Sequence, residues 1–175
     1  MKRRTLFLCA AAFQVAVLAG EYLSSVWPVW TGQRIVLDVV PVDPRSWFSG
    51  NYARLDYDIA RLSRSLYRGS GGPLREGEVV YVALEPAGEV WRAAAVFLEQ
   101  PSAGTFLRGR LVTSWHGESE LWVRYGIEAW FAPKEEAEAI ERSVFARRSG
   151  DIPVRAEVAV TGSGRAALVG LDWRP

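Results

Sequence analysis

The beginning of the chain restricts its fate more than any other feature. Met1-Lys2-Arg3-Arg4 leads into an uncharged run from Leu6 to Leu18, in which only Gln14 is polar, followed by Ala19, Gly20 and Glu21. A basic head on an apolar body is the pattern of a cleavable export signal or of an uncleaved transmembrane helix. From Leu6 to Leu23 there are 18 residues. As a helix they span roughly 27 Å, close to one hydrocarbon core. Glu21 then falls near the far interface, and Trp27 and Trp30 fall where amphipathic rings favour the headgroup zone. These features predict an anchor. Cleavage after Ala19 is the competing expectation, because Val17-Leu18-Ala19 offers small residues at the spacing a signal-cleaving protease prefers. Phe7 and Leu8 are too bulky for the positions before a lipidated Cys9, which reads as an apolar thiol. Lys2, Arg3 and Arg4 stay cytoplasmic under the positive-inside bias. The expectation is a single-pass protein of the inner, cytoplasmic membrane, with its working domain periplasmic or extracellular.

Composition narrows the rest. With 49% hydrophobic and 23% charged residues and eight Trp, the chain is too apolar for disorder. Its net charge is +1, and of 21 basic residues only Lys2 and Lys134 are lysines, so nucleic acid is not an expected partner. One Cys and one His supply neither a zinc site nor a disulfide framework, and no cofactor is expected. At 175 residues there is room for one domain beyond the leading helix. The division is 1–30 for the anchor and interfacial segment and 31–175 for an extracytoplasmic β-rich domain.

From Gln33 the hydrophobic pattern becomes alternating. Ile35, Leu37 and Val39 share one side of a strand that Pro41 ends. Tyr52 to Ala60 reads as one further strand, with Ala53, Leu55, Tyr57 and Ile59 facing the core and Tyr52, Arg54, Asp56 and Asp58 facing water. The two prolines and Gly50 between these strands predict an ordered loop. Apolar runs follow at 79–84, 90–98, 106–112, 121–131, 154–160 and 166–171. Thr161-Gly162-Ser163-Gly164 predicts a hairpin that pairs the last two. Pro133 to Phe145, acidic at its start and with Arg142 near its end, predicts one short amphipathic helix. The expected class is mainly β, a β-rich α+β fold: one N-terminal transmembrane helix plus a barrel- or sandwich-like domain of about eight strands with one short helix.

Pro41-Val42-Asp43-Pro44-Arg45 runs into Gly50-Asn51-Tyr52-Ala53-Arg54-Leu55-Asp56-Tyr57. This string resembles the signature of the GDYXXLXY family of bacterial membrane-anchored proteins. Gly50, Tyr52, Leu55 and Tyr57 match the Gly-Asp-Tyr-x-x-Leu-x-Tyr pattern, and Asn51 stands in place of the Asp. Asn keeps an oxygen acceptor but loses the charge, which suits a turn better than a general base. The resemblance continues through Tyr125-Gly126-Ile127-Glu128 and the closing Val158-Ala159-Val160 strand. It implies membrane attachment, often beside a multi-spanning membrane protein, and no known reaction. The candidate binding residues are Asp43, Arg45, Gly50, Asn51, Tyr52, Leu55, Tyr57 and Glu128. Arg45 is positioned in sequence to fork onto Asp56, Asp58 or Glu128 and pin the loop. Tyr52 and Tyr57, an odd number apart, face opposite ways on one strand.

Enzyme readings meet a poor inventory. Asp43, Asp56 and Glu128 offer carboxylates for an envelope hydrolase, yet charged residues on a wet strand face are usually only solvated. A signal-peptidase-like architecture has a similar layout, with a Leu-x-x-Gly-x-x-Val step matched at Leu74 to Val80. Such enzymes need a Ser nucleophile beside a Lys base, and Ser46 and Ser49 have no plausible lysine partner. A small-ligand barrel is the third reading. The expected role is a non-enzymatic, protein-binding or accessory subunit, touching membrane lipid through its helix and a multi-spanning protein as partner.

Overall fold

A computed structural model describes residues 2–40, 52–69, 74–112, 119–133, 135–136, 139–140 and 154–173. The leading apolar run forms a single helix, α1 (Lys2–Thr31), 30 residues long. Its stretch Arg4–Thr31 is long and apolar enough to cross a membrane, and its most apolar window is not buried against the rest of the protein. Apolar side chains point outward all round it, from Leu6, Phe7 and Leu8 to Phe13, Leu18 and Leu23. A soluble domain would bury one face of such a helix.

The helix continues beyond Leu23, through Pro28 to Thr31, and its last turns dock on the domain. Pro28 is buried where the outward-facing residues before it are not. The final carbonyls find donors nearby: Thr31 Oγ1 donates to Trp27 O at 2.9 Å, Gly32 N to Pro28 O at 2.9 Å and Arg34 Nη2 to Val29 O at 3.3 Å. Two of the four acceptors that the helix C-terminus leaves open, the Pro28 and Val29 carbonyls, are thereby served. Gly32 alone separates α1 from the first strand, and a Cβ there would collide with the Pro28 carbonyl and the Val160 backbone. The junction is a tight corner, since only a residue without a side chain lets the strand leave so close to the helix end.

Eleven strands follow among the described residues: β1 (Gln33–Val40), β2 (Tyr52–Arg54), β3 (Asp56–Tyr57), β4 (Arg61–Ser63), β5 (Val79–Ala87), β6 (Val90–Phe97), β7 (Thr105–Val112), β8 (Glu120–Arg124), β9 (Ala129–Phe131), β10 (Arg155–Val160) and β11 (Ala166–Asp172). One antiparallel sheet runs β11-β10-β1-β3, a second β4-β8-β7-β5-β6, and β2 pairs with β9 alone. β1 packs against β6 and β10 against β7, so the sheets close into a barrel-like body. Inside lie Ile35, Leu37 and Val39 of β1, Val80 and Val82 of β5, Leu107 of β7 and Ala156 and Val158 of β10, all at 1% exposure or less. The expected alternation of β1 and the pairing of β10 with β11 are both present.

Two expectations, and with them the strand count, need correction. Tyr52–Ala60 is not one strand: β2 pairs with β9, β3 pairs with β1, and Asp58–Ala60 forms a 3-10 turn. The inward face survives the break, because Ala53, Leu55, Tyr57 and Ile59 are all buried. The 121–131 run likewise divides into β8, a turn at Tyr125–Glu128 and β9. These divisions, with short β4, raise the strand count above eight. Of the short helix expected at 133–145, residues 135–136 and 139–140 are described and helical, and Ile140 is fully buried.

Candidate functional site

The two motifs singled out in the sequence meet in space. Leu55, at the break between β2 and β3, donates its N–H to Glu128 O at 2.9 Å. Two residues on, the Tyr57 hydroxyl donates to Ile127 O at 2.7 Å. The Tyr125 hydroxyl reaches back and donates to Ile59 O at 2.7 Å. Each segment thus offers a tyrosine to the backbone of the other. Leu55, Tyr57, Ile59, Tyr125 and Ile127 are all buried, so these bonds are made in a water-poor interior, where losing one leaves an acceptor without a partner.

The turn at 125–128 has its own support. Glu128 spans it with both carboxylate oxygens, one accepting from Tyr125 N and the other from Gly126 N at 2.9 Å. Gly126 has φ +86°, a left-handed conformation that strains any residue with a side chain. On the other segment, Asp56 Oδ1 accepts from Tyr57 N at 3.1 Å and Oδ2 takes Arg61 Nη2 at 3.0 Å. The Arg61 guanidinium lies over the Trp122 ring, 4.6 Å from its centre. This cation–π contact holds the arginine against β8.

Burial pushes the Tyr57 phenol far above its ordinary 10.0, with the charges of Glu128 and Asp56 adding to the rise. Tyr125 is raised for the same leading reason, with Glu128 and Asp58 contributing. Both phenols are therefore fixed hydrogen-bond donors, not acids poised to exchange a proton near neutrality.

The expected site residues divide accordingly. Leu55, Tyr57 and Glu128 come together at the motif-to-turn junction. Tyr52 enters the same assembly through its backbone, opposite Phe131 in the β2–β9 pair. Asp43, Arg45, Gly50 and Asn51 lie outside the described residues, as do Ser46, Ser49, His116 and Lys134. Asp56 and Glu128 each spend both carboxylate oxygens on separate structural partners. Among the described residues no group of three or more His, Cys, Asp and Glu is placed to hold a metal.

Sequence reasoning missed the far side of the turn. Gly126, Ile127 and Ala129 wall a cleft of about 290 Å³, with Arg165, Ala166, Ala167 and Leu168 opposite and Ser25 and Pro28 of α1 completing it. The tyrosine lock therefore braces the domain where the helix joins it. A proline in the last turns of an otherwise regular apolar helix was the available signal, since proline removes a helical hydrogen bond and is costly without tertiary compensation.

An outward-apolar N-terminal helix of membrane-spanning length, fused through one glycine to a barrel-like β domain braced by crossed tyrosines, defines a β module led by an apolar helix. The GDYXXLXY family model matches residues 14–171, and the chain belongs to that family. The match takes in most of α1, both halves of the lock and all but the last residue of β11. No curated protein and no solved structure matches the chain.

Proposed function

We propose that this chain is a single-pass subunit of the inner, cytoplasmic membrane whose β domain, outside the cytoplasm, binds a multi-spanning membrane protein without catalysing a reaction. The observation that carries this reading is the continuity of α1 with the domain. Thirty helical residues are about 45 Å long, against roughly 30 Å for a hydrocarbon core. A span starting near Leu6 leaves Trp27 to Thr31 among the headgroups and the domain seated on the surface. Lys2, Arg3 and Arg4 then remain in the cytoplasm. Cleavage after Ala19 would cut this helix in mid-course and leave Gly20 to Thr31 as a stub on the domain.

A helix held by a tight corner is a poor flexible tether and a good rigid bracket. A partner touching both the span and the domain meets one continuous surface. Among the described residues the two phenols are locked donors and the Asp56 and Glu128 carboxylates are occupied, which supports a binding role. The test is purification of the full chain in mild detergent. A multi-spanning protein should co-purify in fixed ratio, and should be lost when residues 5–23 are replaced by an unrelated apolar span. Recovery of a lone monomer at physiological expression contradicts the proposal.

A further inference from the structure

We propose that the cleft between α1 and the 125–129 turn binds the phosphate of a phospholipid from the membrane that holds the helix. This rests on the reading of α1 as a span. Pro28, which lines the cleft, lies between Trp27 and Trp30, the rings expected at headgroup level, so the cleft opens at the depth of lipid phosphates. Its volume of about 290 Å³ suits a headgroup rather than a protein segment.

Arg165 supplies the charge. The Thr161–Arg165 turn fixes its backbone: Arg165 N donates to Thr161 Oγ1 at 3.1 Å, and Thr161 N donates to Arg165 O at 2.9 Å. The side chain is left exposed at the cleft. Among the described residues its guanidinium meets one acceptor, Ser24 Oγ at 3.4 Å, and no carboxylate. Nor does it cap the helix: its bond goes to the Ser24 hydroxyl, while Gly32 and Arg34 serve the Pro28 and Val29 carbonyls. A guanidinium with most of its donors unused matches a phosphate, onto which it forks. Ser25 lines the same cleft, and a serine hydroxyl can offer a second donor. Glu21 lies one turn deeper on the helix face that carries Ser25 and Pro28, where its carboxylate repels anions, so the favourable level for a phosphate is that of Arg165.

The experiment is native mass spectrometry of the full chain in mild detergent, titrated with phosphatidylglycerol, with diacylglycerol or with inorganic phosphate. Phosphatidylglycerol should be retained and diacylglycerol should not, and millimolar inorganic phosphate should leave the bound lipid in place. Arg165→Gln should weaken retention about tenfold, as loss of a charge-assisted hydrogen bond does. Ala167→Leu, which fills the cleft without touching charge, should weaken it too, while Arg92→Gln on β6 should not. Equal retention by wild type and both cleft variants overturns the proposal, as does equal retention of diacylglycerol. Displacement by inorganic phosphate overturns the lipid as the source. A chain stripped from membranes by alkaline carbonate would overturn the span itself, whereas an embedded chain indifferent to Arg165→Gln overturns only the headgroup site.

Discussion

Tyr57 and Tyr125 hold the same two chain segments from opposite sides: each hydroxyl donates to a backbone carbonyl beside the other's segment, Tyr57 to Ile127 and Tyr125 to Ile59, both at 2.7 Å. The last tyrosine of the family string is thus half of a crossed lock. Tyr57→Phe and Tyr125→Phe keep the rings and remove one bond each, and each should cost about 1–3 kcal/mol of stability because a buried carbonyl loses its donor. The double variant should depart from additivity, since the two bonds brace one junction. Thermal unfolding of the full chain in detergent measures both effects.

Alkali should open the same lock. Both phenols titrate above their ordinary 10.0 when folded, so folding holds protons that the unfolded chain releases. Their contribution is complete below about pH 10 and falls as pH rises from there towards the raised folded values, by up to about 1.4 kcal/mol per pH unit for each tyrosine. Unfolding midpoints from pH 8 to 11.5 check this. Tyr57→Phe should flatten the alkaline decline, and an unchanged slope would count against the lock.

The 125–128 turn should be sensitive at two places for separate reasons. Gly126→Ala introduces a side chain at φ +86°, at a cost of about 1–2 kcal/mol. Glu128→Ala removes the acceptor for two backbone N–H groups and should cost about 1.5–3 kcal/mol, whereas Glu128→Gln should retain part of that. Loss of stability without loss of membrane attachment is the expected pattern in fractionation.

Gly32→Leu should act first at the junction, where α1 meets the end of β10. The added side chain meets the Pro28 carbonyl and the Val160 backbone, which cannot move aside as a flexible side chain would. The β domain should keep its circular dichroism while spin-label distances between residue 20 on α1 and residue 92 on β6 broaden. Distances as narrow as in the wild type would contradict a rigid corner.

How much of this was legible in the sequence depends on range. The alternation of Ile35, Leu37 and Val39, and of Ala53, Leu55, Tyr57 and Ile59, is a local signal and marks the core faces correctly. It does not reveal that the chain exchanges partners at Leu55, because both short strands continue the same period of two although β2 pairs with β9 and β3 with β1. Glu128 stood out by resemblance, but its role follows from the turn it spans, and nothing local in Tyr125 announces that its hydroxyl will reach Ile59. Pro28 and Arg165 were harder still. They lie far apart in the chain, and the cleft between them exists only once α1 docks on β10 and β11.

The central claim is that α1 stays joined to the domain as its membrane span. Intact mass of the chain recovered from carbonate-washed membranes tests this most directly. The account predicts a membrane-retained species that still carries residues 1–19; a mature chain beginning at Gly20, or release of the protein into the wash, would contradict it.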